Sequence, residues 1–448
     1  MIARLESRVS YLTDRVQELE AQLKKDSSNS SKPPSSDPPW KPPAQRRQKG
    51  RPRGGQPGHA GRERTEVPPD EVVVLKPPSC QHCGAELTGE DPSPWRHQVT
   101  DIPEVVARTT EFQLHLLQCH HCQQHTRAAW PEGVPQGAFG PRLQAIIAVC
   151  SGAYRLSKRS IEELLADFFK VRVSLGSIAN IEQGISTLLA PPVDEAAERV
   201  RRSLVVHADE TGWTQAHKRA WLWVAATAKV VVFMIRRLRS AAVAQELLGR
   251  CFAGVLVADQ FLGYRWVKLA RRQLCWAHLV RHFRALLDYG VEAQAFGERL
   301  LALTEGLFAQ WHRIRDGTLP RAQFPELAAP FQADFGALLR EGTGSSHRRV
   351  RTLCTGLLRD ESALWTFVTR RGVEPTNNAA ERALRHAVVW RKTSFGTDSE
   401  GGSRFVERML TVVATLRCQG RNVLEYVTAA CQAGLLGRAA PSLLPERA

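Results

Sequence analysis

No apolar run in the 448 residues approaches the roughly twenty needed to span a bilayer, and the opening residues carry no secretory signal pattern. A soluble intracellular protein is expected, one of the bacterial cytoplasm associated with the nucleoid. Acids are in deficit: 45 Asp and Glu stand against 61 Lys and Arg, for a net charge of +16 and a pI of about 9.8. That surplus favours a polyanionic partner over a neutral metabolite, while charge alone leaves ribosomal, membrane-surface and nucleic-acid partners open. Disulfides are not expected, because the ten cysteines of a chain in a reducing compartment serve as thiols or metal ligands. The length is enough for about two to four domains with substantial cores.

Apolar side chains are scarcest between Lys24 and about Asp70. The stretch DSSNSSKPPSSDPPWKPP can bury almost nothing and reads as unfolded. From Lys41 to Arg64, eight Lys or Arg face a single acid, Glu63. A mobile basic arm of this kind neutralises phosphates without reading sequence; a solubilising linker is the plainer alternative. Ahead of it, Ile2, Leu5, Val9, Leu12, Val16, Leu19 and Leu23 recur at alternating steps of three and four. That is a heptad seam, and it predicts a coiled coil that pairs two chains rather than an amphipathic helix packed on its own domain.

Cys80-x-x-Cys83 and Cys119-x-x-Cys122 each let two thiolates grip one ion, and together they predict a closed structural Zn²⁺ site in a zinc ribbon. The alternating stretch Val105 to Leu117 would supply its strands. The gap exceeds the commonest spacing, and His82, His97, His120 and His121 are substitute ligands. A redox role is the runner-up and lacks a surrounding βαβ pattern. Cysteines 150, 251, 275, 354, 418 and 431 sit in apolar sequence and read as core residues. Helices are expected at Pro141 to Gly152, Ser160 to Phe169 and Ser177 to Leu188, a triplet compatible with a helix-turn-helix unit, with Pro191 and Pro192 ending the block.

From Ser203 the pattern turns to strands. Leu204 to Ala208 reads as a buried strand running into Asp209 and Glu210, with Gly212 as the place to turn. Alternation puts Asp209 and Glu210 on opposite faces. Ala220 to Thr227, Val230 to Ile235, Gly254 to Asp259 and Gln273 to Trp276 follow, with a helix from Ser240 to Arg250. That order is the order of a ribonuclease-H-like mixed sheet. Nearly a hundred residues, 283–376, then show helical patterns and no strand, as an insertion would. In the helix that follows, capped by Thr376 or Asn377, Glu381 shares a stripe with Leu384 and Val388, while Arg382, Arg385, Arg391 and Lys392 take other faces. Asp209, Asp259 and Glu381 would then supply the carboxylates that two-metal phosphoryl chemistry requires, with Mg²⁺ or Mn²⁺ as the ions.

These pieces together resemble the DDE transposases of bacterial insertion sequences, specifically the insertion-sequence-66 family. The likeness runs through the zipper, NSSKPPSSD (Asn29 to Asp37), RGGQPGHAG (Arg53 to Gly61), the paired knuckles, HADETGW, CWAH (Cys275 to His278) and NNAAERALR (Asn377 to Arg385). It departs at VADQFLGY, where the aromatic after the second acid is displaced by one. The resemblance implies that Asp209, Asp259 and Glu381 are the family's D, D and E. It also implies cleavage of element ends, attack of the freed 3′-hydroxyl on target DNA, and small accessory proteins as partners. Two other functions fit parts of the chain: a catalytically silent DNA-binding regulator derived from a transposase, and a metal-dependent nuclease without strand transfer.

The expected organisation is a multidomain α+β chain: a coiled coil (1–26), a Pro/Ser-rich and basic arm (27–70), a zinc-finger domain (71–130) and a helical DNA-binding block (131–200). A catalytic core (201–282 and 377–400) interrupted by a helical insertion (283–376), and C-terminal helices (401–448), complete it.

Overall fold

The computed structural model describes residues 66–445 and, nearer the start, positions 2, 8, 9, 12, 15, 16, 19, 20, 22, 23, 25, 26 and 29. The basic arm and RGGQPGHAG lie outside the described residues, as does Leu5 of the heptad seam. The chain divides into two units, Trp40–Arg108 and the remainder (Met1–Pro39 with Thr109–Ala448).

Among the described residues of Trp40–Arg108, the first knuckle forms a hydrogen-bonded turn. The Cys80 N–H donates to Ala85 O at 2.8 Å and Gly84 N–H to Cys80 O at 2.9 Å, a turn that needs the left-handed φ of +75° at Gly84. The second knuckle repeats this turn in the other unit. The Cys119 N–H donates to Gln124 O and the Gln123 N–H to Cys119 O, both at 2.8 Å, with Gln123 at a φ of 59°. It is flanked by a small antiparallel pair, β1 (Leu116–Gln118) and β2 (His125–Arg127). The alternating stretch expected to form ribbon strands therefore contributes only its last residues; those from Val105 to His115 carry no strand. Alternation without a partner strand leaves the backbone groups with nothing to pair.

Four helices follow: α1 (Pro141–Gly152), α2 (Lys158–Phe169), α3 (Leu175–Leu188) and α4 (Ala190–Arg201). Ser157 and Ser174 cap α2 and α3, each accepting from the N–H three residues on. Ile147, Ile161, Leu165, Val173 and Ile178 join α1 to α3 in a small core of their own. Pro191 and Pro192 do not end this block but sit in the first turn of α4. Proline costs little there, where the missing N–H would have no intrahelical partner.

The central sheet holds β3 (Val205–Gln215), β4 (Lys218–Ala226), β5 (Val231–Arg236), β6 (Val255–Ala258) and β7 (Arg272–Leu274), in the order β5-β4-β3-β6-β7. The first three form an antiparallel meander, and β6 and β7 are parallel to β3. The strand carrying Asp209 is longer than expected. It passes through Gly212 to Gln215 and turns at Ala216 and His217, both at positive φ, because β4 pairs with it throughout. Alternation sorts the two faces. Val206, Ala208, Leu256 and Ala258 enter one core with α1, α4 and the C-terminal helices. Val205, Val255 and Val257 enter the other. That second core is built from α6 (Trp276–Leu286), α7 (Gly290–Arg315), α8 (Phe324–Thr343), α9 (Arg348–Arg359) and α10 (Thr366–Thr369), with α5 (Ala241–Leu248) lying earlier in the chain. Trp276 packs against Phe335 and Trp365 at 5.3 Å each in its centre.

Both edges of the sheet are closed. Along β5, the N–H groups of Val231 and Phe233 donate to Thr415 and Thr411 Oγ1 at 3.0 Å each, and that of Ile235 donates to Glu407 Oε1. All three acceptors lie on α12 (Glu400–Gln419), which follows α11 (Asn378–Ser394) and precedes α13 (Val423–Leu435). The match is metric: four helical residues rise about 6 Å and two strand residues about 6.6 Å. Along β7, Thr366 Oγ1 donates to Arg272 O at 2.6 Å and the Phe367 N–H to Gln273 Oε1 at 2.7 Å. An edge closed this way offers no template for another strand. Two of the cysteines expected in cores, Cys251 and Cys418, are exposed; Cys150, Cys275, Cys354 and Cys431 are buried.

Candidate active site

The parallel ladder Val205↔Val255, Val206↔Leu256, His207↔Val257 keeps a constant register. Asp209 and Asp259 lie two residues beyond its last pair, on the parity that faces the helical core. Asp259 follows immediately where β6 ends, and its Oδ1 accepts from the Phe261 N–H at 2.9 Å. Asp209 is half-buried and its Oδ1 accepts from the Glu210 N–H at 2.9 Å. Burial pushes the Asp209 carboxyl well above the usual range, and the charges of Glu210, Asp259 and Glu381 add to the push. All three predicted acids therefore act on one electrostatic neighbourhood. Carboxylates so arranged favour a cation, which would reverse the direction of that shift.

Glu210, the rival for the first acid, takes the other face. Its Oε1 accepts from Arg239 Nε and Nη2 at 2.8 and 2.6 Å, and its Oε2 from the Tyr264 hydroxyl at 2.6 Å. Both oxygens are committed, and the side chain is 1% exposed. Arg239 stacks over the Phe261 and Trp221 rings at 4.1 and 5.1 Å and its Nη2 stands 4.0 Å from Asp259 Oδ2. The displaced aromatic of VADQFLGY thus forms a shelf for the cation beside the second acid.

Glu381 lies in the first turn of α11. Asn377 holds the N-cap position, but its side chain does not cap the helix. Its Nδ2 donates instead to Ala208 O at 2.7 Å, and its backbone N–H to Cys275 Sγ at 3.1 Å. Fully buried Asn377 therefore ties the Asp209 strand, the start of α6 and the Glu381 helix together. Arg391, assigned from sequence to an outer face, is half-buried and donates to Gly212 O and to Thr211 Oγ1. Its charge fastens α11 to β3.

Glu381 Oε1 is buried without a hydrogen-bond partner, and so is His278 Nδ1. The two are 3.6 Å apart, and Arg281 Nη2 is 3.7 Å from the same oxygen. Among the described residues, Cys275, His278 and Glu381 form the one group whose ligand atoms all lie within 4.8 Å of one another; Asp209 and Asp259 are outside it. An orphaned buried carboxylate oxygen is a costly arrangement unless a cation completes it. The donor chemistry here fits a divalent ion. Arg239 and His278 had no role read from sequence, while Asn377 reads there only as a helix cap and Cys275 only as a core residue. The signals were present in NNAAERALR and CWAH, but their meaning depended on which elements meet.

A family model described as "Transposase IS66 family" matches residues 136–404. The chain belongs to that family. A second model, a family of unknown function designated DUF6444, matches residues 1–65. Uncharacterized protein y4qI of Sinorhizobium fredii (strain NBRC 101917 / NGR234) is 28% identical over 419 residues, 84% of this chain and 73% of that protein. The family gives the chain a transposase role, and with it DNA binding and DNA processing. The matched region spans α1 to the start of α12 and contains the central sheet, the whole of the second core, the part of the first core that precedes α12, and Asp209, Asp259 and Glu381. No helix among the described residues is long and apolar enough to cross a membrane.

Proposed function

We propose that this IS66-family chain is a DDE transposase that cuts insertion-sequence ends and joins the freed 3′-hydroxyl to target DNA. Its core is ribonuclease-H-like, and Asp209, Asp259 and Glu381 hold the divalent ions, Mg²⁺ or Mn²⁺. The observation that carries the reading is the strand order β5-β4-β3-β6-β7, with acids at matching levels of the adjacent parallel strands and a third acid on the helix tied to them. When bound, two such ions lower the barrier to in-line displacement at phosphorus by stabilising the attacking and leaving oxygens. The residues have separable tasks. Asp209 and Asp259 fix positions on the sheet, and Asn377 sets Glu381 against them. Arg239 and Arg281 bring positive charge to the rim, where phosphate charge develops. DNA is held by the basic arm, the helical block of residues 131–200 and the zinc-finger domain of residues 71–130. Residues 283–376 are an insertion, and the seam of residues 1–26 pairs two chains.

The test is strand transfer with pre-cleaved element ends. Asp209→Asn, Asp259→Asn and Glu381→Gln should each lower it by at least about a hundredfold while DNA binding survives. Near-normal transfer by one variant removes that residue from the site. Cutting without joining in the native protein favours the nuclease, and binding without either favours the regulator.

A further inference from the structure

We propose that His278 is a nitrogen ligand to the divalent ion held at Glu381, an assignment that rests on the three-acid reading above. Cys275 sits where three elements meet. Its N–H donates to Ala258 O at 2.8 Å, next to Asp259, while its sulfur accepts from the Asn377 N–H at 3.1 Å. His278, one turn into α6, comes back over the same point, since residues three apart share a helix face. It stops at 3.6 Å from Glu381 Oε1, too far for a hydrogen bond. Neither atom has another hydrogen-bond partner, and both are buried. Two ligands each about 2.1 Å from one ion stand about 3–3.5 Å apart, close to the separation seen.

The surroundings favour a neutral ring with a free lone pair. Burial, then the Arg281 charge, lower the His278 pKa, opposed by Glu381 and Asp259. His282 also faces it, and its own pKa is lowered by burial and then by His278. Cys275 is not the third ligand to a hard ion. Its sulfur is a soft donor and already accepts from the Asn377 N–H at 3.1 Å, so it serves to position the helix start. One imidazole among carboxylates shifts preference from Mg²⁺ towards Mn²⁺, because Mg²⁺ selects oxygen donors more strongly.

The experiment uses the full chain with substoichiometric Mn²⁺ and no DNA. Pulsed EPR of bound Mn²⁺ is expected to show nitrogen modulation that is lost in His278→Asn and retained in His282→Asn. The Mn²⁺ dissociation constant should rise about tenfold or more in His278→Asn, with Mg²⁺ affinity changing less. Modulation that persists in His278→Asn, or Mn²⁺ bound by the native chain without modulation, overturns the assignment. If Glu381→Gln still weakens that Mn²⁺, the three-acid reading stands. Failure of the native chain to bind Mn²⁺ overturns both. Should His278→Asn not fold, the native spectrum alone decides against the ligand if modulation is absent, and His278→Gln then supplies the comparison.

Discussion

Arg239 and Glu210 form an ion pair beside Asp259, Nη2 to Oε1 at 2.6 Å, with the carboxylate side chain 1% exposed and the arginine side chain 35% exposed. The asymmetry of exposure predicts an asymmetry of cost. Arg239→Met strands a buried carboxylate and should destabilise the core by about 3 kcal/mol or more. Glu210→Gln leaves an arginine that can turn to water and should cost about 1 kcal/mol. Chemical denaturation of the two variants measures this. Equal losses, or the reverse order, would show that the pair does not organise this face.

Glu407 gives a pH dependence. Burial pushes its carboxyl up to about 7 from an ordinary 4.5, against the pull of Arg404, the Ile235 N–H and Arg236. Between those two values the folded chain keeps a proton that the unfolded chain has released, so stability falls as pH rises through the window. The loss amounts to about 3 kcal/mol across the full interval. Glu407→Gln preserves an acceptor for Ile235 and removes the titration. Thermal unfolding from pH 4.5 to 7 should show the native protein losing ground to the variant; parallel curves would exclude the effect.

Much of this architecture is legible in local sequence. Apolar β-branched runs specify buried strands, and proline and serine mark helix starts, so the succession of strands along the chain and most helices follow from local pattern. Asp209 and Asp259 stand out because an acid ending an apolar strand is costly, and Glu381 because it shares a helical stripe with Leu384 and Val388. What local pattern could not show was pairing. Gly212 reads as a turn until β4 is known to pair beyond it. Asn377 reads as a cap until its side chain is seen reaching Ala208 O. Arg391 reads as an outer cation until Gly212 O lies within its reach. Each miss is a long-range contact overriding a correct local preference.

The two knuckles predict one structural zinc. In each, backbone N–H groups point at the first sulfur: those of His82 and Cys83 lower the Cys80 thiol, and those of Cys122 and His121 lower Cys119. Thiolate character is what Zn²⁺ binding requires. Elemental analysis of purified protein should find about one zinc per chain, lost when Cys80, Cys83, Cys119 or Cys122 becomes serine. A folded protein free of zinc would dismiss the site.

The heptad seam predicts self-association. Its described members Ile2, Val9, Leu12, Val16, Leu19 and Leu23 are helical and 46–88% exposed in the single chain. Burying a leucine or isoleucine fully is worth about 1.5–3 kcal/mol, so leaving this stripe in water forgoes substantial stabilisation. Three heptads are marginal alone, and the pairing should therefore be concentration-dependent and reinforced when two element ends are bound. Leu12→Asp with Leu19→Asp places like charges on the seam of both partners. The double variant should weaken self-association in sedimentation experiments by at least about tenfold and reduce joint capture of two DNA ends. Binding to a single end should be unchanged, because it draws on other parts of the chain. The same mass in both proteins, free and on paired ends, would mean that the seam packs on something other than its own copy.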